Sequence, residues 1–312
     1  MPSCWMCWAC GTVLMDDAIA RPPASERTAG ETPSETVARI DALSEQRRTR
    51  FDGGEMVWRV WGQGRPIVLF HGGYGTWTHW IKNVVPLSRH FQVFVADMPS
   101  HGDSDTLPGR PSRDAMADAI GAGLDQLFGK EQAYDIAGFS MGANLSAAIA
   151  LAHGGKLDNL VVVGPGGLGV SSQKITGLQR WRPDLQREVL DRRHRNNLGV
   201  IMFHDNTRID DLAVHLQREN GLRMRFRISR SGINTLLKDN LPKVQCRLTC
   251  IWGDGDVYAV GGRDERISVM RQSHPDLETR IVADAGHWVM YEQADAFNAA
   301  LLQSLGVTES PA

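Results

Sequence analysis

Short apolar runs alternate with helical stretches along most of this chain, and this alternation limits the folds that the chain can adopt. Apolar, mostly β-branched runs occupy residues 66–70, 91–97, 134–139, 159–164, 247–253 and 279–285. Helical patterns lie between them at residues 112–128, 141–153, 262–273 and 291–305. Such runs are typical of parallel strands covered on both faces. Their alternation with helices predicts an α/β fold with a doubly wound, mostly parallel sheet.

Two segments depart from this alternation. Residues 56–62, MVWRVWG, alternate in the way expected of a half-buried antiparallel strand. Residues 171–243 carry helical patterns and no strand, and the stretch DNTRIDDLAVHLQREN (205–220) opens with an N-cap signal. We therefore predict a core formed by residues 51–170 and 244–312, with a helical cap inserted at residues 171–243.

The first 50 residues are predicted to form a flexible segment. Residues 16–36 are rich in Pro, Ala, Thr, Ser and Glu, a composition that is typical of disorder. The apolar stretch at residues 4–15 is too short to span a bilayer and lacks the basic start of a secretory signal. The sequence leaves the role of this segment open.

The five cysteines indicate a reducing compartment. Cys4, Cys7 and Cys10 lie near the N-terminus, and Cys246 and Cys250 lie at a predicted strand. This odd number without even spacing argues against a disulfide framework and predicts a cytoplasmic protein. The CxxCxxC run has no downstream His or Cys pair to complete a tetrahedral zinc site, so we expect no metal.

The charge balance gives no reason to expect a nucleic-acid or membrane partner. The 312 residues include 34 basic and 36 acidic ones, for a net charge of −2, and 42% are hydrophobic. A local cluster of arginines at residues 218–230 is typical of a solvated helix face. The expected partner is a small molecule, and the sequence leaves a homodimer open.

A serine between two glycines follows one of the predicted strands. The sequence GFSMG places Ser140 between Gly138 and Gly142, where a strand ends and a helix begins. This is the G-x-S-x-G pattern of a nucleophile elbow, in the strand–turn–helix context that the motif requires. Because short patterns also match ordinary Gly/Ser turns by chance, the interpretation depends on partners elsewhere in the chain.

The partners of a nucleophilic serine are a base and an acid that orients the base. His287 follows the last predicted strand, and Asp254 and Asp256 follow the strand before it. The order serine, acid, histidine is the one expected in this type of sheet, and all three loops open at its carboxyl edge. The glycine-rich stretch LFHGGYGTW predicts an oxyanion hole, which we assign to the N–H groups of Gly73 and Met141.

From about residue 55 to residue 305, the chain resembles the α/β-hydrolase fold family. The motifs that carry this resemblance are HGG at 71–73, DMPSHGDSD at 97–105, GFSMG at 138–142, WGDGD at 252–256 and AGHW at 285–288. The resemblance implies that the acid of the triad is Asp256, with Asp254 as the alternative. It also implies a serine hydrolase that needs no cofactor.

Within that family, the chain looks most similar to the meta-cleavage-product hydrolases, which cleave carbon–carbon bonds in vinylogous diketones. GHWVMYEQADAFN is similar to their His-Trp signature, and QREN matches their Arg-x-Asn in the cap, which points to Arg218 and Asn220. Trp288 is the tryptophan of that signature. Two departures are a histidine, His79, where those enzymes usually carry asparagine, and the lack of their longer glycine-proline loop.

These observations predict a carboxylesterase-like serine hydrolase with Ser140, Asp256 and His287 as its catalytic triad. Carbon–carbon bond hydrolysis is the alternative reaction, a haloperoxidase-like perhydrolase shares the same triad, and a non-catalytic ligand-binding module is the alternative of another class. The residues predicted to bind substrate are Trp288, Arg218, His79 and Trp77, and Trp181, Met202 and Phe203 are further candidates from the cap.

Overall fold

The computed structural model describes residues 28, 30–109, 112–129, 131–225 and 235–307. Its strands are β1 (Glu45–Phe51), β2 (Gly54–Trp61), β3 (Pro66–Phe70), β4 (Gln92–Asp97), β5 (Tyr134–Phe139), β6 (Leu157–Val163), β7 (Arg247–Gly253) and β8 (Glu278–Val282). Its α-helices are α1 (Pro33–Asp41), α2 (Val84–Leu87), α3 (Arg113–Phe128), α4 (Met141–His153), α5 (Arg187–Ile201), α6 (Asp211–Leu222), α7 (Leu236–Asn240), α8 (Arg263–Arg271), α9 (Val289–Glu292) and α10 (Ala294–Ser304). Short 3₁₀ helices lie at Trp77–Trp80, Gly154–Lys156, Asn206–Arg208 and Leu241–Lys243.

The eight strands form a single sheet in the order β1-β2-β4-β3-β5-β6-β7-β8. The pairs β1–β2 and β2–β4 are antiparallel, and the other pairs are parallel. The predicted α/β fold with a mostly parallel sheet is confirmed, as is the antiparallel strand at MVWRVWG. The carboxyl ends of the parallel strands lie at one edge of the sheet, which is where open α/β sheets place their sites.

The core has two layers, one on each face of the sheet. In β3, Ile67 and Leu69 pack into one hydrophobic cluster, whereas Val68 and Phe70 pack into the other. Successive side chains of a strand point to opposite faces, so a strand buried on both faces is expected to be mostly apolar. This explains the apolar runs in the central strands, where the buried Asp135 of β5 is an exception that accepts a hydrogen bond from Asn159 (2.7 Å).

The N-terminal part of the described chain is more ordered than its sequence predicts. Thr32 caps α1 in a capping box with Glu35, and Pro33 occupies the first turn of the helix. The following strand β1 pairs along its whole length with β2. The prediction of a flexible segment up to residue 50 is therefore wrong for residues 33–50. The first 27 residues, with Cys4, Cys7 and Cys10, lie outside the described residues.

The segment between β6 and β7 contains α5, α6 and α7 and no strand in its described part. Helices α5 and α6 pack against each other, whereas α7 packs against α4 in the core. The carbonyl of Met202, just after α5, accepts the amide of Trp288 (2.8 Å), so the insertion is joined to the loop that carries His287. The boundaries of the cap at residues 171–243 stay a prediction.

Within the described ranges, no helix is both long enough and apolar enough to cross a bilayer. The same ranges contain no cluster of three or more His, Cys, Asp or Glu side chains arranged to hold a metal ion. Cys246 and Cys250 are both free thiols.

Candidate active site

The serine of the GFSMG motif lies at the turn between β5 and α4. Ser140 has a φ of +52°, in the left-handed region that residues other than glycine rarely occupy. Its amide donates a hydrogen bond to the carbonyl of Val163 on β6 (2.8 Å). The side chain is thereby held, partly exposed, at the carboxyl edge of the sheet. This is the geometry of a nucleophile elbow.

The two glycines of the motif are required by the close packing of the turn. A Cβ atom at Gly138 would lie 2.3 Å from Oγ of Ser146, and one at Gly142 would lie 2.6 Å from the carbonyl oxygen of Phe70. Both distances are far below van der Waals contact. Because the second neighbour is backbone, the first turn of α4 can lie against β3 only when residue 142 has no side chain.

His287 and Asp256 form a buried hydrogen-bonded pair next to this turn. Nδ1 of His287 lies 2.9 Å from Oδ2 of Asp256, and the two residues are only 5% and 1% exposed. The second carboxylate oxygen accepts the amide of Tyr258 (2.9 Å). The imidazole ring also packs against the rings of Phe139 (4.8 Å between centroids) and Tyr258 (4.6 Å). With its Nδ1 on the carboxylate, the ring has Nε2 available as a base.

The alternative acid, Asp254, has different surroundings. It is exposed, and its Oδ1 accepts the amide of Ala285 (3.2 Å), while its own amide donates to the carbonyl of Val282 (2.9 Å). Asp254 thus joins the loops after β7 and β8. The carboxylate within hydrogen-bond distance of His287 belongs to Asp256.

The loop after β3 carries the predicted oxyanion groups and is held by two histidines. His71 accepts the amide of Met98 at Nε2 (3.0 Å) and lies 2.8 Å from the carbonyl oxygen of Gly72 at Nδ1, so the proton of its neutral ring belongs on Nδ1. The amide of Gly72 donates to Nδ1 of His79 (3.2 Å). The next residue, Gly73, lines the same cavity as Ser140 and Met141.

Three buried histidines lie around this loop, and burial keeps them neutral. It lowers the pKa of His79 to about 3, with a further contribution from the nearby His287 and His101 rings. It lowers the pKa of His101 to about 4 and that of His71 well below its ordinary value. The loop therefore rests on uncharged rings at neutral pH.

Two cavities meet at Ser140, His287 and Tyr258, which line both. The first has a volume of about 240 Å³ and reaches under the insertion. The second has a volume of about 520 Å³ and runs along the glycine-rich segment after β6. Beyond the three shared residues, the first is lined by Gly73, Tyr74, His101, Arg113, Phe139, Met141, Asn144, Ile201, Met202, Gln217 and Met224.

A sequence profile described as the alpha/beta hydrolase family matches residues 67–300, which is more than half of the chain. The chain belongs to this family. It is 25% identical over 261 residues to the 2-hydroxy-6-oxo-6-phenylhexa-2,4-dienoate hydrolase of Burkholderia cepacia, covering 78% of this chain and 88% of that protein.

Solved structures of other α/β hydrolases share the fold of this chain. The meta-cleavage product hydrolase of Pseudomonas fluorescens IP01 matches with a TM-score of 0.69 at 20% identity, covering 83% of this chain and 97% of that one. Carboxylesterase CesB of Bacillus subtilis also matches with a TM-score of 0.69, at 18% identity, covering 88% of this chain and 96% of that one. At this level of identity the likeness shows the fold alone.

The four residues predicted to bind substrate in this hydrolase do not line either cavity in the described structure. Trp77 packs between Trp61 and the guanidinium of Arg59. Trp288 is fully buried, and its indole N–H donates to the carbonyl of His79 (3.0 Å). His79 itself lies behind the oxyanion loop. These aromatic side chains support the loops of the site from behind, so we correct their predicted role.

Arg218 also differs from its predicted role. It is 5% exposed, and its guanidinium is paired with Asp191 and with Glu219 (3.0 Å) and lies 3.0 Å from Nδ1 of His215. Asn220, two residues on, accepts the hydroxyls of Thr76 and Thr78 (2.8 and 3.0 Å). Both residues of the cap motif thus make contacts within the protein.

Of the three further candidates from the cap, Met202 lines the first cavity, but Trp181 and Phe203 are absent from its described lining. The ring of Trp181 packs against the ring of His194 with 4.8 Å between centroids and a tilt of 51°, and Phe203 packs against the ring of Trp288 at 6.1 Å between centroids.

Glu292 positions the histidine loop of this hydrolase, and its role was missed at the sequence level. Its buried carboxylate accepts the amides of Gly286 (2.7 Å), His204 (2.9 Å) and Asp205 (2.8 Å). It therefore ties the residue before His287 to the insertion. The sequence did contain a signal for this role. Glu292 lies in the apolar stretch VMYE directly after GHW, and a carboxylate that is buried there needs hydrogen-bond partners.

Proposed function

We propose that this protein is a serine hydrolase that cleaves a carboxylic ester through an acyl-enzyme. Ser140 is the nucleophile, His287 the general base and Asp256 the acid that orients the histidine. The observation that carries the proposal is the buried His287–Asp256 hydrogen bond, on a ring that lines the same two cavities as Ser140 at its strained turn.

In this mechanism, Nε2 of His287 takes the hydroxyl proton as Oγ of Ser140 attacks the ester carbonyl. Asp256 stabilises the imidazolium that forms and does not itself take the proton. The tetrahedral intermediate then collapses, and the alcohol leaves with the proton that His287 returns. Water activated by the same nitrogen hydrolyses the acyl-enzyme, releases the carboxylic acid and regenerates Ser140.

The N–H groups of Gly73 and Met141 are proposed to stabilise the negative oxygen of the tetrahedral intermediate. Met141 begins α4 directly after the nucleophile, and Gly73 belongs to the loop held by His71 and His79. One donor of this kind contributes about 3 kcal/mol to transition-state stabilisation. Because the loop rests on neutral, buried rings, the donors are in place before the substrate arrives.

The two cavities give separate places for the two parts of an ester. Since they share only Ser140, His287 and Tyr258 among their described lining residues, an ester carbonyl at Ser140 can extend its acyl part into one and its alcohol part into the other. The first cavity is closed from above by Ile201, Met202 and other residues of the proposed cap at 171–243. The cap is therefore expected to select among substrates.

Hydrolysis of a carbon–carbon bond is the second candidate, and the similarity to proteins named as dienoate hydrolases favours it. The geometry favours an ester. Carbon–carbon cleavage requires polar groups that move a proton on the substrate before the bond breaks. Arg218 and Asn220, which match the cap motif, and His79, which stands where those enzymes usually carry asparagine, are engaged in contacts outside the described cavity linings.

The proposal is tested with Ser140→Ala and a short-chain 4-nitrophenyl ester. We expect kcat to fall by about 10⁶-fold, because the nucleophile is removed and only the small rate enhancement from substrate binding and the oxyanion donors remains. A serine-directed phosphonate should label the wild-type protein at Ser140 and leave the variant unlabelled. Ser146→Ala, which removes a buried hydroxyl on the same helix, is the control and should still be labelled.

Two results would contradict this proposal. Labelling of a different serine, or activity of the Ser140→Ala variant close to that of the wild type, would exclude Ser140 as the nucleophile. If the wild-type protein binds aryl esters and hydrolyses none of them, the alternative of a non-catalytic binding module gains support.

A further inference from the structure

The first cavity contains one side chain with a fixed charge among its described lining residues, Arg113. The other side chains of that lining are apolar, aromatic, amide, hydroxyl or imidazole groups. Arg113 is the first residue of α3 and follows its N-cap, Ser112. No carboxylate of the described lining balances its charge, so an anion entering the cavity meets a single cation in largely uncharged surroundings.

The Nε atom of Arg113 also lacks a hydrogen-bond partner among the described residues. This nitrogen is a donor, and it is buried. A buried donor without an acceptor is costly, and such a group in a native cavity calls for an explanation. A ligand that brings an acceptor into the cavity would satisfy it.

Two buried arginines near the site, Arg218 and Arg266, differ from Arg113 in this respect. Arg218 is paired with Asp191 and Glu219. Arg266, which lines the second cavity, donates to the carbonyls of Gly262 (3.0 Å) and Ser171 (3.2 Å) and to the hydroxyl of Ser172 (2.9 Å). Their guanidinium groups are occupied by the protein itself.

The imidazole groups of the cavity do not compete for this role. His101 lines the cavity beside Arg113, but burial lowers its pKa to about 4, so it is neutral when an ester hydrolase of this kind is active. His287 must be neutral to act as the base. Among the described lining residues, the positive charge available to a substrate is therefore that of Arg113, and one cation matches the single charge of a carboxylate better than the nearly double charge of a phosphate monoester.

We propose that Arg113 determines specificity by binding a free carboxylate of the substrate, so that this enzyme prefers monoesters of dicarboxylic acids to neutral esters. The carboxylate lies in the first cavity under the cap, and the ester carbonyl lies at Ser140. This inference rests on the proposed ester hydrolysis, and it replaces Arg218 by Arg113 as the carboxylate-binding residue.

The experiment compares 4-nitrophenyl hydrogen glutarate with 4-nitrophenyl methyl glutarate, which has the same chain and no charge. We expect the wild-type protein to favour the anionic ester in kcat/KM. Arg113→Gln should lower kcat/KM for the anionic ester by about 10- to 100-fold and leave that for the neutral ester within about threefold. Arg113→Lys should retain part of the preference, because it keeps the charge and loses the two-pronged geometry.

Arg218→Gln is the matched comparison, since it removes a second buried guanidinium that contacts neither cavity. The ratio of the two kcat/KM values should be the same in this variant as in the wild type. A ratio that stays unchanged in Arg113→Gln, or that falls only in Arg218→Gln, would overturn the assignment to Arg113.

A binding measurement separates this inference from the proposed reaction. Calorimetry with the Ser140→Ala variant should show tighter binding of 4-nitrophenyl hydrogen glutarate than of its methyl ester, and this difference should disappear in Ser140→Ala/Arg113→Gln. If wild-type protein hydrolyses neither ester but the binding difference is present, the proposed reaction fails and the anion site stands. If the two esters bind equally, or the anionic ester does not bind, the anion site is refuted.

Discussion

Asp256 and Asp254 are two residues apart on the same loop, yet only Asp256 lies against the imidazole of His287. Asp256→Asn should therefore lower kcat on an aryl ester by about 10³- to 10⁴-fold, because an amide no longer stabilises the imidazolium or its tautomer. Asp254→Asn keeps an oxygen that can accept the amide of Ala285 and should lower kcat by less than about tenfold. Steady-state kinetics of the two variants decide between them, and the reverse order would assign the acid to Asp254.

His79 supports the oxyanion loop as a neutral ring, and this predicts a pH dependence of stability. Its folded-state pKa of about 3 lies below the ordinary histidine value of 6.5, so the unfolded state binds a proton that the folded state does not. The free energy of unfolding should fall as pH drops through 6.5 and continue to fall towards pH 3, by about 1.4 kcal/mol per pH unit for this residue.

The variant His79→Asn isolates this effect, because the asparagine oxygen can still accept the amide of Gly72 and does not titrate. Urea unfolding between pH 7 and pH 4.5 should give a shallower slope for the variant than for the wild type, by about 1.4 kcal/mol per pH unit. Equal slopes in the two proteins would show that His79 is charged in the folded state.

At the residue level, the sequence predicts groups that carry their own local signal. Ser140 stands in a five-residue motif, and His287 and Asp256 each follow a predicted strand at the sheet edge where sites form. Arg113 has no such local signal, because it belongs to no motif and other helices of the chain also begin with an arginine. Its lack of a partner is a property of tertiary packing, which periodicity and spacing do not reveal.

At the level of elements, the elbow depends on α4 lying directly against β3. Gly142→Ala would place a Cβ atom 2.6 Å from the carbonyl oxygen of Phe70, which is backbone and cannot rotate away. We expect this variant to lose about 1–3 kcal/mol of stability, as overpacked cores do, together with activity on aryl esters. Denaturant unfolding and steady-state kinetics measure the two losses.

Gly155→Ala is the control for this prediction, because the added Cβ atom would meet no heavy atom within 4 Å. Its free energy of unfolding should stay within about 0.5 kcal/mol of the wild-type value. If Gly142→Ala were as stable and as active as Gly155→Ala, the close packing of α4 on β3 would not be what requires a glycine at position 142.

The sequence predicts the bounds of the strands that are buried on both faces of the sheet, but it does not predict the strand β1 at the edge of the sheet. The central strands β3, β5 and β7 have the bounds predicted from their apolar runs, because double burial allows little else there. Strand β1 reads EQRRTRF and is largely exposed, so its order comes from pairing with β2 and not from its own pattern. The capping box of α1 was present in the sequence at Thr32 and Glu35, but the composition around it indicated disorder.

At the level of the whole molecule, the insertion and the core form the site together. Ile201, Met202 and Gln217 from the insertion line the same cavity as Ser140 and Gly73 from the core. Glu292 joins the two parts by accepting amides from both. The sequence predicts that an insertion exists, but the residues it turns towards the nucleophile depend on how α5 and α6 pack on the core.

The placement of the insertion also bears on our proposal that the site cleaves an ester. Ester cleavage needs the nucleophile, base and oxyanion hole, whereas carbon–carbon cleavage must first move a proton from an enol oxygen to carbon, so that the new ketone can stabilise the departing carbanion as an enolate. Arg218 and Asn220 are turned away from both described cavities, and His79 holds the oxyanion loop from behind. We therefore do not expect Arg218 or Asn220, which match the cap motif of the carbon–carbon hydrolases, to carry that proton.

We therefore expect kcat/KM for 4-nitrophenyl hydrogen glutarate to exceed that for a 2-hydroxy-6-oxo-dienoate by at least about 100-fold, equivalent to about 2.8 kcal/mol of transition-state stabilisation. Both substrates carry a carboxylate that Arg113 can bind. The ratio therefore compares cleavage of an ester bond with cleavage of a carbon–carbon bond and does not reflect a difference in substrate charge. Stopped-flow absorbance should show the dienoate binding without the ketonised intermediate. Rapid formation of that intermediate, together with a ratio of kcat/KM values near or below one, would favour carbon–carbon hydrolysis. The proton would then be transferred by His287 or by another group that lines the cavity.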